Sequence, residues 1–175
     1  MDELHQAKHP VSAAIAGPYG HPFHPILVTV PIGAWVASLV FDIGSLIVSD
    51  GRFLVQGSQW LIAIGVLGAL AAATVGALDL LAIPRGTRAF RAGLVHMSLN
   101  LAITAAYVVN FLIRSADDGA DSVGTGVLVL SVLSLAALGV SGFLGGMLAY
   151  RFGVRVVDES TQAEGYRSEA ATSKE

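Results

Sequence analysis

The stretch HPFHPILVTVPIGAWVASLVFDIGSLIV (His21–Val48) decides the fold. After two His-Pro pairs it runs apolar from Ile26 to Val48 with one acidic residue, Asp42, near its end. A helix needs roughly 20 predominantly apolar residues to cross a hydrocarbon core about 30 Å thick, and this run supplies them. Three more runs of similar length follow: Trp60–Ile83, Ala92–Ile113 and Val123–Tyr150. Of the 175 residues 54% are hydrophobic and only 13% charged, with a mean hydropathy of +0.67. Soluble domains carry about a quarter charged residues, so the chain reads as an all-α integral membrane protein with four transmembrane helices.

Short connections favour an up-down-up-down bundle of sequential neighbours. The expected spans are about 25–48, 60–83, 91–114 and 123–150, within a transmembrane domain of residues 21–157. Residues 1–20 form a polar N-terminal segment, irregular or helical at the interface, and 158–175 a charged, disordered tail. Four spans put both termini and the 2–3 loop on one side. That side carries Lys8, Arg85, Arg88, Arg91, Arg151, Arg155, Arg167 and Lys174, against Arg52 and Arg114 on the other. Lysine and arginine mark the cytoplasmic face, so both termini are expected there, in a multi-pass protein of the bacterial cytoplasmic (inner) membrane. The N-terminus lacks the basic-then-apolar order of a cleaved signal, so the first span is expected to serve as its own targeting signal.

No cysteine is present. Disulfides, thiolate metal sites, cysteine-ligated clusters and CxxCH haem attachment are therefore excluded, and any haem would be held non-covalently. Phosphate loops, GxSxG and HExxH are absent too, so the chain reads more as a carrier or accessory subunit than as an enzyme by itself. Nothing points to nucleic acid.

Ionisable groups inside a membrane are costly, and each one carries a functional hypothesis. His24, Trp35, Ser38 and Asp42 in span 1 fall at offsets of 11, 14 and 18 residues, and His96, Tyr107, Asn110 and Arg114 in span 3 repeat those offsets. Each series follows one face of a 3.6-residue helix, and Asn100 lies on the span 3 face as well. Both spans run in the same direction, so the histidines should lie at one depth and Asp42 should meet Arg114 at the other. Spans 2 and 4 align poorly at the same shift, which argues against a duplicated hairpin. His24 is read as a helix N-cap with Pro25 at the first helical position. Asp79, about a turn before the end of span 2, is level with the histidines. Gly142 and Gly146 in span 4, with Gly139 and Gly145 nearby, are read as close-packing positions.

These placements define a candidate site of His24, His96 and Asp79, with His21 outside it, Gly145 and Gly146 making room, and Arg85, Arg88 and Arg91 on its rim. The sharpest reading is a b-type haem between His24 and His96, with the loop arginines on the propionates and Asp79 orienting an imidazole. A transition metal held by His21, His24 and His96 is a second reading, with Asp79 as an oxygen ligand. A quinone- or proton-handling pair of Asp79 and His96 is a third, and a bundle that only hydrogen-bonds and scaffolds a larger complex a fourth. His5 and His9 are read as solvated, with a contribution to metal uptake left open. A transport role would require a homo-oligomer.

The opening motif, with Phe41-Asp42, resembles that of an uncharacterised bacterial membrane family, domain of unknown function twenty-two thirty-one. Gly76-Ala-Leu-Asp79, Ile83-Pro-Arg-Gly-Thr87 and then His96, Asn100, Tyr107 and Asn110 resemble its middle, and Gly145–Val154 its close. The resemblance covers about residues 21–157. It implies four helices and, because some members are fused to Rieske or cytochrome-like domains, a role in membrane electron transfer. This chain carries no such domain, so a Rieske or cytochrome partner would be a separate subunit.

Overall fold

In the computed structural model, residues 3–12, 16–117 and 119–166 are described, and all regular structure among them is helical. Four helices are long and apolar enough to cross a membrane: α2 (Phe23–Ser45), α3 (Arg52–Ala82), α4 (Arg88–Ala116) and α5 (Thr125–Arg151). Short helices flank them, α1 (Glu3–Lys8) before and α6 (Glu159–Glu164) after. Packing is sequential, α2 on α3, α3 on α4 and α4 on α5, and α2 meets α5 to close the bundle.

The boundaries differ from the sequence reading where polar residues continue a helix. Pro22, not His24, is the N-cap of α2, in extended conformation, and His24 lies inside the first turn. Pro25 also falls in that first turn, where a missing N–H leaves no internal bond unmade. Pro31 withholds a donor from the Leu27 carbonyl, and the hydrogen-bonded pattern breaks for one residue at Val28. The helix closes again through Ile32 N–H to Val28 O.

α3 begins at Arg52 rather than Trp60, because Gln56-Gly57-Ser58-Gln59 stays helical. Gly57 lies under the Phe41 ring, and Gln59 donates to Ser115 Oγ at 2.9 Å. The turn before α3 is correspondingly tight: a Cβ on Gly51 would come within 2.6 Å of Asp121 O and 2.8 Å of Ser45 O. At its far end α3 stops at Ala82, before Pro84. Gly86 then turns the chain at φ +85°, and Thr87 caps α4 by accepting from Phe90 N–H at 3.0 Å. Its hydroxyl in turn donates to Pro84 O at 2.8 Å.

The last turn of α5 widens, with Phe152 N–H donating to Met147 O five residues back. Beyond it Gly153 and Arg155 both take positive φ, +68° and +58°, and Arg155 N–H donates to Ala7 O at 3.0 Å. This fastens α1 against the segment leaving α5, so both lie on one side of the bundle. Lys8, its side chain almost fully covered, reaches Asp158 at 3.1 Å and Glu159 at 3.6 Å. The hydrogen bond with Asp158 raises the Lys8 pKa and lowers that of Asp158. Within the expected tail, residues 159–164 are helical; residues 167–175 lie outside the described residues, as do 1–2, 13–15 and 118.

The core is aromatic and sits mid-bundle. Trp35 and Tyr107 stack with ring centroids 4.1 Å apart and planes 11° off parallel, against Ile62 and Ile103. Gly65 leaves the space for the indole, since a Cβ there would run into Trp35 Nε1. Gly68 does the same beneath Val30 and Pro31. Small residues let backbones approach in lipid, and on α3 they do so against α2. On α5 the reading fails: a Cβ on Gly139, Gly142 or Gly146 would meet nothing within 4 Å. Those three face outward, because α5 turns its serine face, Ser131, Ser134 and Ser141, to the interior.

Candidate functional site

His24 enters from the first turn of α2 and His96 from the third turn of α4. Their rings lie 6.3 Å apart, centroid to centroid, with planes 83° to one another. Each is half-buried and each is held through Nδ1 by a main-chain carbonyl of the neighbouring helix. His24 Nδ1 is 2.9 Å from Ala72 O on α3, and His96 Nδ1 is 2.9 Å from Ser141 O on α5. A carbonyl only accepts, so each Nδ1 carries a proton, and in the neutral ring that leaves the lone pair on Nε2. Asn100 Nδ2 lies 3.2 Å from His96 Nε2 and also donates to His96 O and Ser141 Oγ.

Glycines set the imidazole positions. A Cβ on Gly76 would stand 2.8 Å from the His24 ring, and one on Gly145 would stand 3.1 Å from the His96 ring. Gly145 therefore makes room for an imidazole, while Gly146 beside it faces open space.

The two halves repeat. Trp35 Nε1 donates to Ile62 O at 3.4 Å, and Tyr107 OH to Ser131 O at 3.5 Å. The histidine bonds span 48 residues in the first half and 45 in the second, and the aromatic bonds span 27 and 24. Both halves use one hairpin plan, with the second excursion three residues shorter. This corrects the argument against a repeated hairpin: α3 and α5 correspond at a shift three residues smaller than α2 and α4. The half-site equivalence ends at Ser38 and Asn110. Ser38 Oγ donates within its own helix to Trp35 O, whereas Asn110 Nδ2 reaches Val127 O and Ser131 Oγ.

At the hairpin-loop end Arg114 grips Asp42 with both terminal nitrogens, Nη1 to Oδ1 at 2.8 Å and Nη2 to Oδ2 at 2.7 Å. Its Nε donates to Asn110 Oδ1 at 2.7 Å. Both charged side chains are buried, and the internal pair engages both carboxylate oxygens of Asp42.

Other expected site residues are placed differently. Asp79 does not orient an imidazole; main-chain carbonyls fill that role. It lies seven residues, nearly two turns, beyond Ala72, and its carboxylate sits 2.9 Å from Arg155 Nε. His21 packs its ring 5.8 Å from Tyr19 on the loop before α2. Arg85, Arg88 and Arg91 are exposed at the α3–α4 turn, on the histidine end of the bundle. The sequence reading missed Ser141, Ala72 and Arg155, of which only Arg155 carries a charge that could have drawn attention.

The separation of the two ring centres is also one that two imidazoles on a single metal would show. Two metal–nitrogen bonds of about 2.0–2.1 Å, with a ring radius at either end, separate ring centres by about 6 Å. A ligating imidazole ordinarily gives its second nitrogen to a carbonyl or carboxylate, which fixes tautomer and plane; both rings here are held in that way. Two clefts of about 510 and 180 Å³ open at the opposite, hairpin-loop end and contain no histidine.

The fold and the half-buried polar stripe define a multi-pass helical membrane protein. A family model described as predicted membrane protein (DUF2231) matches residues 20–158, and the chain belongs to that family. No curated protein and no solved structure matches it.

Proposed function

We propose that this chain is a subunit of the bacterial cytoplasmic membrane, with both termini in the cytoplasm, that binds b-type haem through His24 and His96 and takes part in membrane electron transfer. One observation carries the reading: two imidazoles from different hairpins lie 6.3 Å apart at 83°, each anchored through Nδ1 on a carbonyl. The Nε2 atoms of His24 and His96 are the proposed iron ligands. Arg85, Arg88 and Arg91 supply positive charge at the same end for the propionates. Bound haem would supply a one-electron couple; the protein's part is to fix the ring planes and to keep the ligands at one depth. Orientation rests on the eight-to-two distribution of lysine and arginine. A separate Rieske or cytochrome subunit is the proposed redox partner.

A second reading has its own support. Asn100 Nδ2 already lies 3.2 Å from His96 Nε2, where its N–H meets the lone pair, as it would in a cluster that only cross-links helices.

The test is a reduced-minus-oxidised visible spectrum of protein purified in detergent from cells supplied with haem precursor, with a pyridine haemochrome assay and elemental analysis. A b-type α-band is expected at about one haem per chain, lost in His24→Ala and in His96→Ala. Gly76→Val, whose side chain would push into the His24 ring, should weaken the band without deleting a ligand. Colourless protein carrying neither haem nor metal would overturn the proposal. Metal without haem would replace it with the transition-metal reading.

A further inference from the structure

Outside the bundle, a second group of metal-ligating side chains comes together that the haem reading does not use. His5 and His9 stand four residues apart on α1 and its C-terminal edge, so they share one helical face. Their rings are 4.4 Å apart, centroid to centroid. Asp158, just before α6, joins them from the far end of the described chain. One ligand atom from each of the three lies within 4.8 Å of the others. The sequence separates Asp158 from His9 by the whole bundle; the main-chain bond from Arg155 N–H to Ala7 O brings them together.

We propose that His5, His9 and Asp158 form a binding site for a divalent transition-metal ion of the zinc class, which clasps α1 to the segment leaving the last span. Two imidazole nitrogens and one carboxylate oxygen are ligands that zinc accepts, and they leave a fourth position for water. Tetrahedral bonds of about 2.0–2.1 Å require donors about 3.4 Å apart. The observed spread closes by side-chain rotation, which exposed histidines can make. Lys8 takes one Asp158 oxygen, Oδ1, at 3.1 Å, leaving Oδ2 for a cation. Lys8 also has Glu159 as a second partner, so its charge stays compensated when Asp158 turns to a metal.

The clasp has a consequence inside the bundle. The segment it holds contains Arg155, whose guanidinium pairs with Asp79 of α3. Fixing α1 at residues 5 and 9 therefore stabilises the contact that closes the histidine end. The site itself is independent of haem, since none of its ligands touches His24 or His96.

The probe is Zn²⁺, titrated by calorimetry into full-length protein purified without a histidine tag and stripped with chelator. Wild type should bind about one ion per chain outside the bundle. His5→Ala, His9→Ala and Asp158→Asn should each weaken that binding by at least about tenfold. A His24→Ala/His96→Ala variant should retain it. Melting in detergent checks that each variant is folded, and Zn²⁺ should raise the melting temperature of wild type but not of the His5→Ala/His9→Ala pair. No uptake by folded wild type, or equal uptake after loss of both His5 and His9, would overturn the site. Loss of uptake only in the His24→Ala/His96→Ala variant would also overturn it, placing the metal in the bundle instead.

Discussion

Replacing Asp42 by alanine is expected to destabilise the bundle by about 3–5 kcal/mol, the usual cost of breaking a buried pair by removing one partner. Arg114 would then remain inside the protein with a single side-chain acceptor, Asn110 Oδ1. Guanidinium cannot shed its charge at accessible pH, so the cost cannot be avoided by deprotonation. Asp42 is 0% and Arg114 3% exposed by side chain, and the nearest relief is an opening of the α2–α4 contact towards the headgroups. Arg114→Ala should cost a similar amount. The Asp42→Asn/Arg114→Gln double variant should recover part of the loss, because no net charge is stranded. Unfolding in mixed detergent micelles with increasing SDS compares all three variants with wild type. A loss below about 1 kcal/mol in Asp42→Ala would mean that water reaches the pair, as it does at surface ion pairs.

Trp35→Ala is the second large effect. Large-to-small changes at buried aromatics in soluble cores cost about 3–5 kcal/mol, from transfer and cavity together. Lipid is as apolar as the protein interior, so the transfer part largely vanishes in a membrane and the lost packing remains. We expect about 2–3 kcal/mol. The removed indole stacks on Tyr107, fills the notch over Gly65 and donates to Ile62 O, so one change disconnects α2 from both α3 and α4. Trp60 provides the internal control: it is 72% exposed, and Trp60→Ala should stay within about 0.5 kcal/mol of wild type. With two tryptophans in the chain, each variant leaves one fluorescent reporter, and only Trp35 should resist lipid-phase quenchers. Equal costs for the two alanines would contradict the mid-bundle core.

The pairs in these predictions were legible before any coordinates, because matched offsets on two parallel spans force matched depths. Trp35 with Tyr107, Asp42 with Arg114 and His24 with His96 all meet across the bundle. The repeat behind them was hidden by a three-residue difference between hairpins, which a single fixed shift cannot accommodate. Helix ends were misread where polar residues continued a span, as at Gln56–Gln59, since a hydropathy window treats them as loop. The glycines of α5 were misread because spacing places small residues on a face without saying which face turns inward.

Sequence alone determined the membrane class, the number of spans and the matching levels of the paired residues on α2 and α4. Those follow from run length and from the 3.6-residue period, which are local properties. Only the tertiary structure decided what holds each group: main-chain carbonyls of Ala72 and Ser141 on the imidazoles, Arg155 on Asp79, and Asp158 beside His5 and His9. Carbonyls leave no signature in a sequence, because every residue carries one. The ends of a chain likewise meet or miss according to how the helices between them pack, not according to any spacing that can be counted.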